Sequence, residues 1–249
     1  MSHPVARTRH FPDVQFIVRK YWNRYFPGTR WERGYRWTLN SYMDYTEDFS
    51  RTIILSPGDT FIDAGANTGM WTIQASRHYR RVIAIEPTRS TLKILRKNLR
   101  INHIRNVTVI PKAVSDRVGV TRFYRWPGGH MGNTLLKTPV NYSDDYGEAV
   151  ETGSIETVSI DSLGAMPDVI KLDVEGAEAE AIRGGMQTIS KFHPTLVIEI
   201  HRKENERLIE EMLPEYSWER RTRHFSVPGK SEFDQAHIVG RRLWQEGHG

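Results

Sequence analysis

Residues 60–72, TFIDAGANTGMWT, constrain this chain more than any other stretch. An apolar, β-rich run ends on Asp63, a turn with glycines at 65 and 69 follows, and a helical pattern begins at once. Strand, tight glycine turn and helix in that order make the first half of a βαβ unit, which commits the chain to a parallel sheet. The turn is Gly65-Ala-Asn-Thr-Gly69, or G-x-N-x-G, and it lacks the third glycine of the dinucleotide fingerprint. The physics is shared nonetheless. Gly65 allows the tight turn, and Gly69 lets backbone approach a ligand where free N–H groups of a helix start favour an anionic group.

The rhythm set there continues. Apolar β-rich runs at 60–64, 82–86, 107–110, 168–173, 195–200, 216–225 and 236–243 alternate with helical patterns at 69–79, 89–101, 176–190 and 204–213. The expected fold is α/β: a seven-stranded, mostly parallel sheet with helices on both faces. Its last two strands have a short connection that suits an antiparallel pair at the sheet edge. Residues 120–160 break the alternation, with β-like runs VTRFYRW and ETVSIDSL around a glycine-rich loop. They read as a β/loop insertion between the third and fourth strands. The domain is expected to span residues 46–249, behind an N-terminal extension or cap at 1–45 that carries a helix over about 13–25.

Composition narrows the class. The chain has 249 residues and no cysteine, which removes disulfides, thiolate metal sites and cysteine nucleophiles. No run of 18 apolar residues is present, so no transmembrane segment is expected, and the first residues lack the apolar core of a secretory signal. A cytoplasmic protein is the expectation. The N-X-S/T matches at Asn106 and Asn141 are then chance. Residues 1–40 hold eight Arg/Lys against two acids, so they contribute +6 to a formal net charge of +5, and the remainder carries −1.

The acids around the glycine turn select among nucleotide-like ligands. Asp63 would repel a pyrophosphate but suits a cationic amino group. Glu86, which ends the second run, stands where an acid accepts ribose hydroxyls. An acid for an ammonium and an acid for a ribose describe S-adenosylmethionine better than NAD. The runs DAGANTGMWT, IAIEP, KAVSD, IKLDVEGAEAEAIRGG and TLVIEIH, in this order, resemble the FkbM family of S-adenosylmethionine-dependent methyltransferases over about residues 45–202. The resemblance implies a class I, Rossmann-like methyltransferase acting on hydroxyl groups, often of sugars or natural-product scaffolds. It implies cofactor contacts from Asp63, Gly65, Asn67, Gly69 and Glu86, with Ser115 and Asp116 flanking the adenine. It implies no metal requirement.

The reacting groups are expected beyond the carboxyl ends of the strands. In IKLDVEG, period-2 alternation puts Lys171 and Asp173 on one parity, with Glu175 continuing it if the chain stays extended. In TLVIEIH, Glu199 and His201 share a parity. These four rim groups supply a base for the proton of a methylated hydroxyl: His201 or Asp173 as base, Glu199 or Glu175 orienting it. Helix-capping or backbone-capping roles are the alternatives for Glu175 and His201, and a Mg²⁺ or Mn²⁺ site is the alternative for the set. Trp126, His130 and Asn133, in the glycine-rich loop, are the expected acceptor contacts of a lid. The acceptor reads as a small molecule or glycan, with an acidic one suggested by the basic N-terminus. Nucleic acid is the rival partner, because arginines and aromatics interleave there. A non-catalytic cofactor-binding module is a third reading. Oligomeric state is left open.

Overall fold

The computed structural model describes residues 5–6, 16–17, 57–125, 134–135, 150–225 and 233–243. Trp126, His130, Asn133 and the boundary expected near residue 45 lie outside the described residues. In chain order the elements begin with a short antiparallel pair, β1 (Val5–Ala6) and β2 (Phe16–Ile17). Phe16 and Ile17 are therefore strand rather than helix residues, as suits a Phe-Ile-Val run of strong β-formers. Then come β3 (Gly58–Ala64), α1 (Met70–Ala75), β4 (Tyr79–Ile85), α2 (Arg89–Ile101) and β5 (Val107–Ile110). The insertion supplies β6 (Ala113–Val114), β7 (Gly119–Arg125) and β8 (Val150–Val158). The chain closes with β9 (Val169–Leu172), α3 (Glu178–Arg183), α4 (Met186–Phe192), β10 (Thr195–Ile200), α5 (Lys203–Met212), β11 (Tyr216–Phe225) and β12 (Phe233–Arg242).

The large sheet has seven strands in the order β5-β4-β3-β9-β10-β12-β11. Five of them, from β5 to β10, run parallel, and β12 is antiparallel to both β10 and β11. The last two strands do pair antiparallel, but β12 slots inside the sheet and only β11 forms the edge. The central strands are covered on both faces, and VIKL of β9 is buried throughout, with Lys171 its one polar member. On one face Phe61 and Val82 pack on Trp71 and Ala75 of α1, and Ala84 packs with Leu92 and Leu95 of α2. On the other face Ile62, Ile170 and Ile198 meet Ile182 of α3, Ile189 of α4 and Ile209 of α5.

Two departures from the expected elements have local causes. The helix expected over 176–190 is broken at Gly184-Gly185, two poor helix formers in a row, and residue 184 has to be glycine because the carbonyl of Ser115 would lie 2.3 Å from any Cβ there. The run ETVSIDSL leaves the strand after Val158. Asp161 instead turns its carboxylate to the N-terminus of α4, accepting from the amides of Thr188 (2.8 Å) and Gln187 (3.3 Å). The insertion lies between the third and fourth strands of the large sheet and forms its own sheet, β6-β8-β7. Among the described residues no helix is long and apolar enough to cross a membrane.

Candidate active site

The sheet order reverses between β3 and β9, and a ligand crevice opens outside the carboxyl ends of strands at such a switch point. Register determines what meets there. Asp63 pairs with Lys171 and Ala64 with Leu172, so the residues just beyond, Gly65 and Asp173, come together. The carbonyl oxygen of Asp173 would sit 1.8 Å from a Cβ at residue 65, where φ is +80°. Only glycine fits this position. Asn67 is also left-handed, at φ 49°, and Gly69 is the N-cap of α1.

A cavity lies over this turn. One wall is Gly65, Asn67 and Glu86; a second, apolar wall is Ile85, Ala113, Val114 and Phe123; the third is Asp173 and Glu175, with Thr134 at its edge. Glu86 accepts the amides of Thr88 (2.8 Å, Oε1) and Asn67 (3.0 Å, Oε2). The Thr88 side chain bonds this carboxylate as well, and of its four lone pairs at least one remains to accept. Burial raises the pKa of Glu86 despite these bonds. The amides of Gly65 and Ala66 donate to the carbonyl of Ile85, and that of Gly69 to Ala66. The turn therefore spends these N–H groups, and that of Asn67, on its own shape rather than offering them to a ligand.

Asp63 stands behind the cavity. Its fully buried carboxylate accepts from Thr72 Oγ1 (2.5 Å) and faces Lys171 Nζ at 3.4 Å, so the ammonium it meets belongs to the chain itself. Lys171 Nζ also reaches Asp173 (3.3 Å) and the carbonyl of Gly65 (3.3 Å). Ser115 and Asp116 follow the apolar wall but do not line the cavity. Asp116 accepts from Ser115 Oγ and Arg117 Nε, both at 3.2 Å.

The four rim groups do converge. The chain leaves β9 at Leu172 and turns, with Glu175 left-handed at φ 54°, so Glu175 reaches the rim through a turn rather than an extended strand. His201 Nε2 lies 3.4 Å from Glu175, 3.4 Å from Glu199 and 3.7 Å from Asp173. His201 Nδ1 lies 2.8 Å from Glu178 Oε1, and that carboxylate, fully buried, also accepts the amide of Gly176 and the Nδ2 of Asn205. Glu178 thus holds the ring and directs Nε2 at three carboxylates. Burial raises the pKa of Asp173 and raises that of Glu175 well above its ordinary value, while Glu199 pushes Asp173 further up and His201 pulls both down. Glu199 is bounded on its other side by His237 Nε2 at 3.3 Å, whose pKa burial lowers to about 3.

Sequence reasoning missed Glu178, Asn205, His237 and Thr134. Asn205 carried a faint signal, an amide within the first turn of an otherwise charged helix. His237 carried none, because only the β10–β12 register sets it opposite Glu199. Thr134 ends the glycine-rich loop and bridges to Tyr124, and its hydroxyl donates to the carbonyl of Glu175 at 2.6 Å. It ties the insertion to the rim.

Sheet order, an antiparallel strand within an otherwise parallel sheet, and an acid-lined crevice at the switch point define a class I methyltransferase fold of the Rossmann-like type. More narrowly, the chain belongs to the methyltransferase FkbM domain family, whose model matches residues 63–222. It is similar to methyltransferase 1 of Beauveria bassiana, 28% identical over 147 residues covering 51% of this chain and 59% of the relative. It is also similar to methyltransferase sdnD of Sordaria araneosa, 26% identical over 175 residues, covering 57% of this chain and 67% of the relative. The structure of methyltransferase FkbM from Methylobacillus flagellatus superposes with a TM-score of 0.51 at 22% identity, over 74% of this chain and 44% of that one. The similarity thus spans about three fifths of the first relative's length and under half of the solved structure's.

Proposed function

We propose that this chain transfers a methyl group from S-adenosylmethionine to a hydroxyl of a sugar, glycan or natural-product-like acceptor. One observation supports the reading: Asp173 and Glu175 line the same cavity as Gly65, Asn67 and Glu86, so a cofactor held by the latter three would lie beside a proton acceptor. In this reading Glu86 holds the ribose hydroxyls with its remaining acceptor capacity, and Ile85, Ala113, Val114 and Phe123 take the adenine, with Ser115 and Asp116 just behind them. The bound cofactor supplies an electrophilic methyl carbon on a sulfonium. Asp173 accepts the acceptor's hydroxyl proton, while Lys171, itself anchored on Asp63, holds the Asp173 carboxylate in place. His201, buried behind Asp173, relays that proton and is oriented by Glu178, with Glu199 3.4 Å from Nε2 beside it. Trp126, His130 and Asn133 are the proposed acceptor contacts.

The test is transfer of labelled methyl into soluble glycans, lipid-linked glycans, small hydroxyl compounds and total RNA, run with wild type and Glu86→Ala. Label in the hydroxyl-bearing small molecules or glycans, absent with the variant, is the expected outcome. Label in RNA alone would replace the acceptor class by nucleic acid. Calorimetric titration should show S-adenosylmethionine binding to Glu86→Ala about a hundredfold weaker, the effect of losing two hydrogen bonds to a charged group at about 1.5 kcal/mol each.

A second reading has its own observation. Ligand atoms of Asp173, Glu199 and His201 lie within 4.8 Å of one another, close enough to share one hard cation. The proton-relay reading expects turnover to persist in excess EDTA. Loss of turnover that Mg²⁺ or Mn²⁺ restores would make these three residues metal ligands instead.

A further inference from the structure

Helix α2 carries Arg89, Lys93, Arg96, Lys97 and Arg100, all exposed. Their spacing places them at i, i+4, i+7, i+8 and i+11, a single stripe roughly 16 Å long at about 1.5 Å per residue. Leu92, Leu95 and Leu99, on the opposite side, are buried against the sheet, so the stripe is carried on a rigid support. Among the described residues none of the five cations meets a carboxylate. Cations elsewhere do: Arg207 pairs with Glu211, Arg220 with Glu206, and Arg221 with Glu219. Nor does the local sequence neutralise the stripe, since residues 87–115 hold seven Arg/Lys and no Asp or Glu.

We propose that α2 docks this protein on an anionic phospholipid surface. Charge complementarity selects a polyanion, and the character of the face selects which one. Proteins that hold single-stranded nucleic acid combine a basic groove with aromatic platforms for the bases. On α2 itself, Ser90 is the only exposed residue besides the five cations, so the helix offers no aromatic platform for a base. Four to eight Lys/Arg on one amphipathic helix, attracted without insertion, suit the headgroups of acidic lipids. The geometry also has a consequence for substrate supply. Thr88 and Thr91, at the start of α2, line the cavity, so docking on α2 holds the cavity within one helix length of the headgroups. Acceptors attached to lipid would be delivered there. This docking does not depend on the reaction proposed above.

The test is flotation of the full chain with vesicles of phosphatidylcholine containing about 30% phosphatidylserine, against pure phosphatidylcholine, at about 0.1 M salt. Wild type should float with the acidic vesicles only and be released at about 0.5 M salt, where screening is complete within a few ångströms. Each cation near such a surface is worth about a fivefold factor, so K93E/R96E/K97E should bind about a hundredfold or more weakly. Its S-adenosylmethionine affinity and melting temperature should match wild type. If the charge reversal disturbs folding, the neutral variant K93Q/R96Q/K97Q provides the same comparison. Four results would each overturn the proposal: no flotation of wild type, equal flotation on neutral vesicles, a folded variant that binds like wild type, or tighter binding of a poly(U) or duplex RNA probe than of the acidic vesicles.

Discussion

Replacing Asp173 by Asn should lower kcat about a thousandfold, within the range a positioned general base supplies, and leave S-adenosylmethionine affinity within a few-fold of wild type. The amide has the shape of the carboxylate but cannot take a proton. Lys171 keeps Asp63 and the carbonyl of Gly65 as partners, so the turn and the cofactor wall persist. The argument for Asp173 over His201 is one of access. Asp173 lines the cavity, whereas His201 is 4% exposed and stands behind it. Single-turnover rates with saturating cofactor would measure the chemical step, and calorimetry would measure cofactor binding. His201→Gln should cost less, about tenfold, and show in kcat rather than KM, because a relay acts after the proton has left the acceptor. The reverse ranking, with Asp173→Asn near wild type and His201→Gln inactive, would make His201 the base.

The second large effect is structural. Gly65→Ala should abolish cofactor binding and lower the melting temperature by about 10 °C or more. The new methyl would lie 1.8 Å from the Asp173 carbonyl oxygen, which belongs to the backbone, so no side chain can rotate away to relieve the clash. Relief requires separating the ends of β3 and β9, which carry the glycine turn and the proposed base. A core clash of this kind belongs to the class that costs about 4 kcal/mol or more, at about 2–4 °C per kcal/mol for a domain of this size. Gly164→Ala supplies the control. Residue 164 has φ +58° but nothing within 4 Å of the added Cβ, so only the left-handed penalty of about 1 kcal/mol applies. Differential scanning calorimetry of the two variants separates the clash from the conformational penalty. Similar melting temperatures for both would refute the close approach.

Much of the fold was legible because it is written in local periodicity. β5, β10 and β11 have the expected limits, and α2 and α5 fall within a residue of theirs. Apolar runs of strand length, separated by helical stripes, leave a chain of this kind few alternatives to a covered parallel sheet. The misreadings arose where a distant contact outweighed a local pattern. A helical pattern over 176–190 is interrupted at Gly184-Gly185, where the close passage of Ser115 requires glycine, and a β-like run near Asp161 was diverted to cap α4.

The sequence by itself determined that a glycine turn with acids at 63 and 86 follows the first strand of the sheet, and that Asp173, Glu175, Glu199 and His201 lie at or just beyond the ends of two later strands. Side-chain parity along a strand and the position of a turn are properties of a few consecutive residues. Tertiary structure alone decided which acid faces the cavity and which is turned inward. Parallel register sets Lys171 on Asp63 across 108 residues of chain, and antiparallel register sets His237 on Glu199. A buried carboxylate takes whichever cation or donor the neighbouring strand brings within reach, because leaving it unpaired away from water costs several kcal/mol. Pairing of that kind depends on which strands become neighbours, and no stretch of the sequence contains it.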